Sequence, residues 1–571
     1  MHLPPKLMQA FTATLFVVSL SGCGEKTVTG PAAASKLEQS QDCFGCHGGV
    51  SKITGETCTN EWLRSAHNTK NGAGCKECHE PLAGHPNSCN NCHGGRPQGN
   101  SHDVTVNPDS AGKCAKCHTS SGGFGISTFN GVQKDTRTAH FNNLTGAGYP
   151  ASFVTSKTAG ACRTCHNPHD TTTNIATLRA WSRSGHGNTT AAPWISNDFK
   201  SRTGDCNRCH TTTGFLKYIA DNNDSAQWGS SSDKTKEVLM CSACHLDYSY
   251  KLRVAGAVTA NYAGGVSVYP DTGTSNLCLN CHVGRSSGAS VRNVQRNYTS
   301  ASFVNSHYLT AGGTVFGAIG YEFAGRDYAD LTDPANPESY AHRYIGTADS
   351  RGKSAIAAGS GPCVGCHLAN KSQPGEKHTF KPYIVAGTAL SPTCETAACH
   401  GPTATRPTPR DQEWLKNIWQ AQYQDALSAL KHVLANNSFR KLFFDASNPY
   451  FFNDRNGDGS ISANEVSSSN QQKKWHSVGS PEADISVSGM NNMGAAFNYN
   501  LLIHDRGGVV HNRYYTRRLI YDSIDWLDDN LMNNSAGATL NALPGNGNTA
   551  FKANAVTYLI DPAKVSGTER Y

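Results

Sequence analysis

The chain has 571 residues, of which 37% are hydrophobic and 56 are Gly, and its mean hydropathy is −0.48. This composition is poor for a large aliphatic core, and it would suit a disordered chain if the 22 Cys and 24 His were scattered. They are not scattered, because most of them stand in one repeated pentapeptide. The formal charge of +7 must be corrected for whatever that repeat binds, so the charge alone does not indicate nucleic-acid binding, and we expect no nucleic-acid partner.

The N-terminal segment predicts export and a lipid anchor. Residues 7–20 form an apolar stretch that is too short to cross a bilayer as a helix and is typical of a signal-peptide core. It ends in Leu20-Ser21-Gly22-Cys23, which is similar to a bacterial lipobox. We therefore expect a lipoprotein signal peptide at residues 1–22, lipidation of Cys23 and a flexible tether at residues 23–41. An ordinary secretory signal that contains a Cys is the alternative.

The repeated pentapeptide is C-x-x-C-H, the attachment sequence of c-type haem. Its two thiols form thioethers with the haem vinyl groups. Zinc ribbons and disulfides also use Cys pairs, but they do not need a His directly after each pair, so the repeated His favours haem attachment. Nine copies occur, and a tenth has a longer gap between its Cys residues. The predicted cofactor is haem c, ten per chain, attached at Cys43, Cys46, Cys75, Cys78, Cys89, Cys92, Cys114, Cys117, Cys162, Cys165, Cys206, Cys209, Cys241, Cys244, Cys278, Cys281, Cys363, Cys366, Cys394 and Cys399.

Two Cys remain outside these motifs. Cys23 is the lipobox residue, and Cys58 is left over. We expect Cys58 to be an inert buried thiol. If the lipobox is not processed, a disulfide between Cys58 and Cys23 is possible in an oxidising compartment.

The His that ends each motif is the expected proximal ligand of the haem iron. Ten irons then need ten further ligands, and the chain holds only six Met, two of them in the predicted signal peptide. The supply of His therefore fits ten haems with two axial His each. The proximal ligands are His47, His79, His93, His118, His166, His210, His245, His282, His367 and His400, and the distal candidates are His67, His85, His102, His140, His169, His186, His307, His342, His378 and His511.

Local sequence separates some of the distal candidates. His67 and His186 share a W-x-R-S-x-H pattern, so we expect them to be equivalent ligands. His169 follows His166 too closely to reach the other face of the same haem, and we expect it to serve a neighbouring haem. His432 lies at the edge of a predicted apolar helix face, where a boundary residue and a haem ligand are equal alternatives.

The motifs divide the chain into a decahaem region at residues 42–400 and a haem-free C-terminal region at residues 401–571. We expect a multihaem cytochrome fold that is mostly coil with short α-helices and little β, has a haem-stapled core, and ends in an α-helical haem-free C-terminal region. Residues 283–362 are expected to wrap over haems, and residues 254–258 and 266–269 suggest a short hairpin.

The C-terminal region contains two predicted helices and a calcium loop. The helices run from 408 to about 435 and from about 512 to 527. Between them, residues 454–465 match the twelve-residue EF-hand loop, with oxygen ligands at the required positions and Gly459 at the sharp turn. The residues predicted to bind calcium are Asp454, Asn456, Asp458, Ser460, Ser462 and Glu465.

Ten haem sites behind a lipobox resemble the outer-surface multihaem c-type cytochromes of metal-reducing bacteria such as Geobacter, which are lipoproteins. Residues 491–500 and 511–525 are similar to the tail of these proteins. The resemblance implies an electron carrier that is lipid-anchored in the outer membrane and located at the cell surface, with the periplasmic face as the alternative. It implies transfer to ferric or manganese oxides or to partner cytochromes, and partners among other c-type cytochromes or a porin-cytochrome complex.

Two other functions remain open on the sequence. A multihaem reductase of nitrite, hydroxylamine or a sulfur oxyanion needs one open iron, often marked by Lys in place of the motif His, and all ten motifs here end in His. A haem-wire filament subunit is disfavoured by lipidation. Catalytic residues are not expected, because reduction of a metal ion at an exposed haem edge would be outer-sphere transfer.

Overall fold

The structure is a computed structural model, and the part of the chain that it describes is concentrated in the C-terminal half. It covers residues 34–44, 56–69, 72–78, 126–129, 132–135, 206–220, 238–246, 250–293, 297–328, 341–346, 360–369, 374–384, 388–390, 419–545, 547–563 and 570–571, together with Thr393 and single positions between 167 and 199.

Helices dominate the described residues, and most are short. The first are α1 (Lys36–Phe44), α2 (Cys58–Arg64), α3 (Ala66–Thr69), α4 (Cys75–Cys78), α5 (Cys206–His210), α6 (Thr212–Ala220), α7 (Cys241–Cys244), α8 (Asn276–His282), α9 (Gly288–Val291), α10 (Ala311–Val315) and α11 (Gly361–His367). The C-terminal part holds α12 (Ala421–Asn436), α13 (Ile485–His504), α14 (Gly508–His511), α15 (Arg513–Asp529), α16 (Ala536–Ala542) and α17 (Lys552–Leu559), of which α12, α13 and α15 are the longest described helices.

The described strands form four separate antiparallel hairpins. They are β1 (Ile126–Phe129) with β2 (Val132–Asp135), β3 (Thr259–Tyr262) with β4 (Gly265–Val268), β5 (Tyr383–Ile384) with β6 (Thr388–Leu390), and β7 (Phe443–Phe444) with β8 (Phe451–Phe452). The predicted hairpin near residue 260 exists, but its first strand begins at Thr259 and not at 254. Helices with little sheet are therefore what the structure contains, as predicted.

One apolar core joins the C-terminal helices. Tyr423 and Leu430 of α12, Phe497 of α13, Leu519 of α15 and Tyr558 of α17 are all fully buried in it. Residues 291–328 contribute to the same core through a list of buried side chains: Val291, Tyr298, Val304, Ile319, Tyr321, Phe323 and Tyr328. Part of the segment that is predicted to wrap over haems therefore packs against the C-terminal helices through these side chains.

The predicted helix after residue 511 is confirmed. It is α15, whose N-cap is Asn512, with a side-chain oxygen that accepts a hydrogen bond from Tyr515 N. Its apolar repeat is buried, including Leu519 and Ile524. The end of the other predicted helix agrees with α12, which stops at Asn436, while its predicted start lies outside the described residues.

Helix α13 was not predicted, because several buried Asn residues interrupt its apolar positions. The amide of Asn498 accepts a hydrogen bond from Tyr321 N at 2.7 Å and donates to Tyr321 O at 2.9 Å. The amide of Asn492 donates to Trp475 O at 2.8 Å and accepts from Trp526 Nε1 at 2.9 Å. Buried Asn residues with these partners cost little, and they give α13 no amphipathic pattern to read.

Among the described helices, none combines the length and apolarity needed to cross a bilayer.

Candidate haem sites

Four attachment motifs lie within the described residues, and all four are on helices. They occupy α5, α7 or its C-terminal end, α8 and α11. In a helical turn, residues three and four apart share a face, so both Cys and the motif His project to the same side. Each helix therefore presents two sulfur atoms and an imidazole together, as covalent attachment of one haem requires.

Each of the four proximal His residues in the described chain faces a second His that the sequence predicted as a distal ligand. The members of a pair come from distant parts of the chain, so the fold and not the local sequence brings them together. The ring centres are 6.2 Å apart for His282 and His186, 6.0 Å for His210 and His307, 6.2 Å for His245 and His378, and 6.4 Å for His367 and His511.

These separations fit an iron between the two rings. Two imidazole nitrogens that each bind a metal at about 2 Å hold their ring centres about 6 Å apart. Directly stacked aromatic rings come closer, since the ring centres of Phe199 and His210 are 3.9 Å apart. The donor sets thus fit haem iron with two axial His ligands at four sites.

Main-chain carbonyls fix the orientation of three proximal rings. His245 Nδ1 donates to Tyr250 O at 2.9 Å, His282 Nδ1 donates to Leu309 O at 3.0 Å, and His367 Nδ1 donates to Phe380 O at 2.7 Å. With Nδ1 used in this way, Nε2 is the nitrogen that points to the iron, since a metal-bound His usually donates its other N–H to the protein.

The three accepting residues share an unusual backbone conformation. Tyr250, Leu309 and Phe380 have φ angles of 59°, 56° and 57°. This left-handed region is uncommon for residues other than Gly, and such residues concentrate where surrounding structure fixes them for function. The distal ligand His307 also has a positive φ, at 73°. These turns therefore adopt an unfavourable backbone conformation that places the carbonyl groups next to the His rings.

Burial keeps the distal rings neutral, which is the form that binds a metal. Burial and, secondarily, the neighbouring His282 lower the pKa of His186 to about 4. Burial and Arg285 lower the pKa of His307 to about 4, and burial and His245 do the same for His378.

A carboxylate is the hydrogen-bond partner of His511 Nδ1. Its Nδ1 lies 2.8 Å from Oδ1 and 3.1 Å from Oδ2 of the buried Asp505. Burial lowers the pKa of His511, but the charge of Asp505 and its hydrogen bond to the ring together outweigh burial, and the net pKa lies above its ordinary value. Nδ1 therefore keeps its proton and donates it to the carboxylate.

Three of the attachment helices touch through their Cys residues. The Cys278 thiol is in hydrogen-bonding contact with that of Cys363, and the Cys281 thiol with that of Cys209. The start of α8 also docks on α11, because Ser275 Oγ accepts from Val364 N at 3.0 Å. The attachment positions on α5, α8 and α11 thus lie side by side, with α8 in the middle.

The other predicted ligands are placed as follows. His67, His169 and His342 lie in the described part of the chain, and Nδ1 of His342 contacts Val510 O next to His511. Outside the described residues lie the distal candidates His85, His102 and His140, the proximal ligands His47, His79, His93, His118, His166 and His400, and their Cys residues except Cys43, Cys75 and Cys78.

The shared pattern around His67 and His186 corresponds to a shared turn. Ser65 Oγ donates to Trp62 O at 2.7 Å, and Ser184 Oγ donates to Trp181 O at 2.6 Å. The same local geometry therefore precedes both His residues.

Cys58 begins α2 and is half-buried. Its thiol is grouped with the fully buried Glu61 and with His169, and their ligand atoms lie within 4.8 Å of one another. Burial and the Glu61 charge raise the pKa of Cys58, which disfavours the reactive thiolate. His169 Nδ1 is 3.9 Å from Glu61 Oε2, so a carboxylate stands behind this predicted distal ring as well.

The predicted calcium loop is preorganised around its first and last acidic residues. Asp454 accepts from Gly457 N at 2.7 Å and from Gly459 N at 2.8 Å, while Glu465 accepts from Arg455 N at 2.7 Å and from Ser462 N at 2.9 Å. Asn456, Asp458 and Ser460 are exposed along the loop between them, and Ser462 is partly exposed. Strand β8 enters the loop in place of the helix of an EF-hand.

Several functional features escaped sequence reasoning. The pairing of distal with proximal His is set by tertiary contacts, and the left-handed residues follow no motif. Asp505 stands six residues before His511, and that spacing has no signature that marks a carboxylate as a ligand partner.

Comparisons with known proteins show similarity to polyhaem c-type cytochromes. The chain is 29% identical to the C-type polyheme cytochrome OmcB of Geobacter sulfurreducens, in each of two strains, over 94% of this chain and 96% of that protein. It is 38% identical to the C-type polyheme cytochrome OmcC of the same species, over 63% of this chain and 48% of that protein. No protein-family profile matches the chain, and no solved structure matches it.

Proposed function

Because the chain is homologous to the polyhaem c-type cytochromes OmcB and OmcC of Geobacter, we propose that it is a decahaem electron carrier that moves electrons across or beyond the outer membrane. A multihaem electron-transfer role and haem c as the cofactor follow from the homology itself. The number of ten, the extracellular acceptors and the lipid anchor are the proposed parts. The acceptors are ferric or manganese oxides or partner cytochromes, and the protein is held at the membrane through Cys23.

The observation that carries the proposal is the set of paired His residues. In each described site two partly buried imidazole rings lie with their centres 6.0–6.4 Å apart, a separation that an iron between them would fit. The two rings would occupy both axial positions of an iron held there and would leave no position for a substrate. Haem c supplies a one-electron couple at such a site.

The protein's own residues support transfer rather than catalysis. The carbonyls of Tyr250, Leu309 and Phe380 hold the proximal rings in place, which keeps the ligands the same in both oxidation states. Contact between Cys278 and Cys363, and between Cys281 and Cys209, places attachment positions next to each other. Short separations between redox centres favour electron exchange without a bound substrate.

Carbon monoxide distinguishes a saturated carrier from a reductase. The reduced holoprotein should show almost no spectral change with carbon monoxide, and the oxidised protein should show low-spin signals that account for all its haem in electron paramagnetic resonance. It should also be oxidised by chelated ferric iron. Strong carbon monoxide binding together with rapid turnover of nitrite or hydroxylamine would overturn the carrier proposal.

A further inference from the structure

We propose that Asp505 is a positioning residue that lowers the reduction potential of the haem held between His367 and His511. The inference rests on the proposed function, because it assumes that these two rings are axial ligands. It concerns a residue whose contact with the site is to Nδ1 of His511, and that acts through this ring.

The carboxylate is fixed independently of the ring. Asp505 ends α13, where its N–H donates to Leu501 O at 3.1 Å. Its carbonyl accepts from Gly508 N at 2.9 Å and from Tyr423 Oη at 3.1 Å, and its side-chain Oδ1 accepts from Gly507 N at 3.2 Å. Only 3% of the residue is exposed. The side chain is thus anchored by the loop that leads into α14.

The ring of His511 has little room to leave the carboxylate. A Cβ added to Gly507 would lie 2.6 Å from His511 Cε1, so the ring packs directly on this Gly. The His511 ring is also tied by its own position at the end of the short helix α14. Loop and ring therefore form one rigid unit in which Nδ1 meets Asp505.

The charge of this partner distinguishes the site from its neighbours. His245, His282 and His367 donate Nδ1 to neutral carbonyls, whereas His511 donates to an anion. An anionic partner makes the imidazole a stronger donor to the metal, and a stronger donor stabilises the ferric more than the ferrous state. Burial strengthens the effect, because little water screens the carboxylate.

The consequence is a step in potential between adjacent sites. The attachment Cys363 of this site touches Cys278 of the next one, whose proximal His282 has a carbonyl partner. A lower potential at the first site favours electron flow from it toward the second.

The test is a redox titration of the full-length holoprotein, followed by optical absorption and by the low-spin signals in electron paramagnetic resonance. Asp505→Asn should raise the midpoint potential of one haem and shift one low-spin signal, with haem content unchanged. Asp505→Glu, which restores the charge, should lie nearer to the wild type. Asp484→Asn, at the exposed start of the same helix, is the matched control and should titrate as the wild type does.

Two results would overturn the proposal: an Asn variant that stays low-spin and titrates as the wild type does, or Asn and Glu variants with equal shifts. If the haem of this site loses its His511 ligand in Asp505→Asn and becomes high-spin, the Asp505→Glu variant tests the role of the charge. A low-spin Glu variant with the wild-type midpoint supports the role of charge, and one with a raised midpoint contradicts it. Failure of the proposed function is distinct, since it would appear as high-spin iron or carbon monoxide binding in the wild-type protein.

Discussion

Four partly buried imidazoles, those of His186, His307, His378 and His511, would decide whether an iron bound in the described region has an open position. His378 illustrates the point, because it reaches His245 from a turn of 3-10 helix, Pro374–Thr379, that contains no attachment site. Nothing in its local sequence distinguishes it from a surface His. Its role comes from its burial and from the ring that it faces.

Removing this side chain should open one iron. In His378→Ala we expect one haem to change from low-spin to high-spin, and the reduced protein to bind about one equivalent of carbon monoxide. Haem content should not change, because the thioethers and His245 remain. Electron paramagnetic resonance and a carbon monoxide titration measure both effects.

His432→Ala is the control for that variant. His432 lies on α12 with its ring 5.9 Å from Phe551, and it has no proximal His as a ring neighbour among the described residues. It should keep every low-spin signal. A new high-spin haem in His432→Ala, or none in His378→Ala, would contradict the assignment of ligands.

The elements differ in how far their sequences reveal them. Helix α15 follows from its apolar repeat and its Asn512 cap, and the attachment helices follow from the motif itself. Helix α13 does not follow, because Asn492 and Asn498 are buried through hydrogen bonds to distant residues. Buried polar residues read as surface in a single sequence, so a helix that is buried on all sides and rich in Asn leaves no periodic signal.

Close packing of α13 gives a stability prediction. A Cβ added to Gly494 would clash with the ring of the buried Tyr321. Gly494→Ala should therefore destabilise the protein by about 1–3 kcal/mol, since neither the helix nor the ring can move freely. Gly545→Ala, where a Cβ meets nothing within 4 Å, is the control. Denaturant titrations followed by Trp fluorescence or circular dichroism compare them, and equal stability of the two variants would be inconsistent with this packing.

The calcium loop is a second element with a testable role. Glu465 accepts hydrogen bonds from Arg455 N and Ser462 N and so joins the two ends of the loop. Extracellular sites of this type bind calcium weakly, with an affinity of about 10⁻⁴–10⁻³ M, and do not need buried ligand oxygens. Calcium should raise the thermal midpoint of the wild type, and Glu465→Gln should abolish most of that rise. Scanning calorimetry with and without calcium makes the measurement.

The matched control for the loop is Glu482→Gln, an exposed carboxylate outside it. This variant should respond to calcium as the wild type does. A wild-type midpoint that is insensitive to calcium would refute the site, and so would an unchanged response in Glu465→Gln.

For the whole molecule, the sequence establishes the chemistry better than the architecture. The attachment motifs identify the cofactor, and the homology to OmcB and OmcC agrees with that reading. They do not reveal that residues 291–328 and the C-terminal helices share one core, or that the C-terminal helix α14 supplies His511 to the haem motif on α11. Contacts between residues far apart in the chain depend on tertiary packing, which no local pattern records.

Membrane attachment is a prediction for the intact protein. Cys23→Ala should move the protein from the outer-membrane fraction to the soluble or secreted fraction, because the lipid cannot be added without the thiol. Cys58→Ala is the control and should remain with the membrane. Cell fractionation followed by haem staining reports both, and unchanged retention of Cys23→Ala would exclude the lipid anchor.

The haem number can be counted directly. Intact-protein mass spectrometry should show ten additions of haem, and Cys399→Ala should disturb one of them. A count of nine in the wild type, unchanged in Cys399→Ala, would mean that the tenth motif with its longer gap is empty.

The left-handed turns at Tyr250, Leu309 and Phe380 bear on the order of biosynthesis. A residue in this conformation costs about 1–3 kcal/mol, while one hydrogen bond to a ring returns about 1 kcal/mol. Without an iron bound to the ring, the hydrogen bond alone does not offset the cost of the left-handed conformation. We therefore expect the maturing polypeptide to reach the enzyme that joins haem to sulfur while these turns are still open, with the Cys residues accessible, and to fold around each haem only after it has been attached.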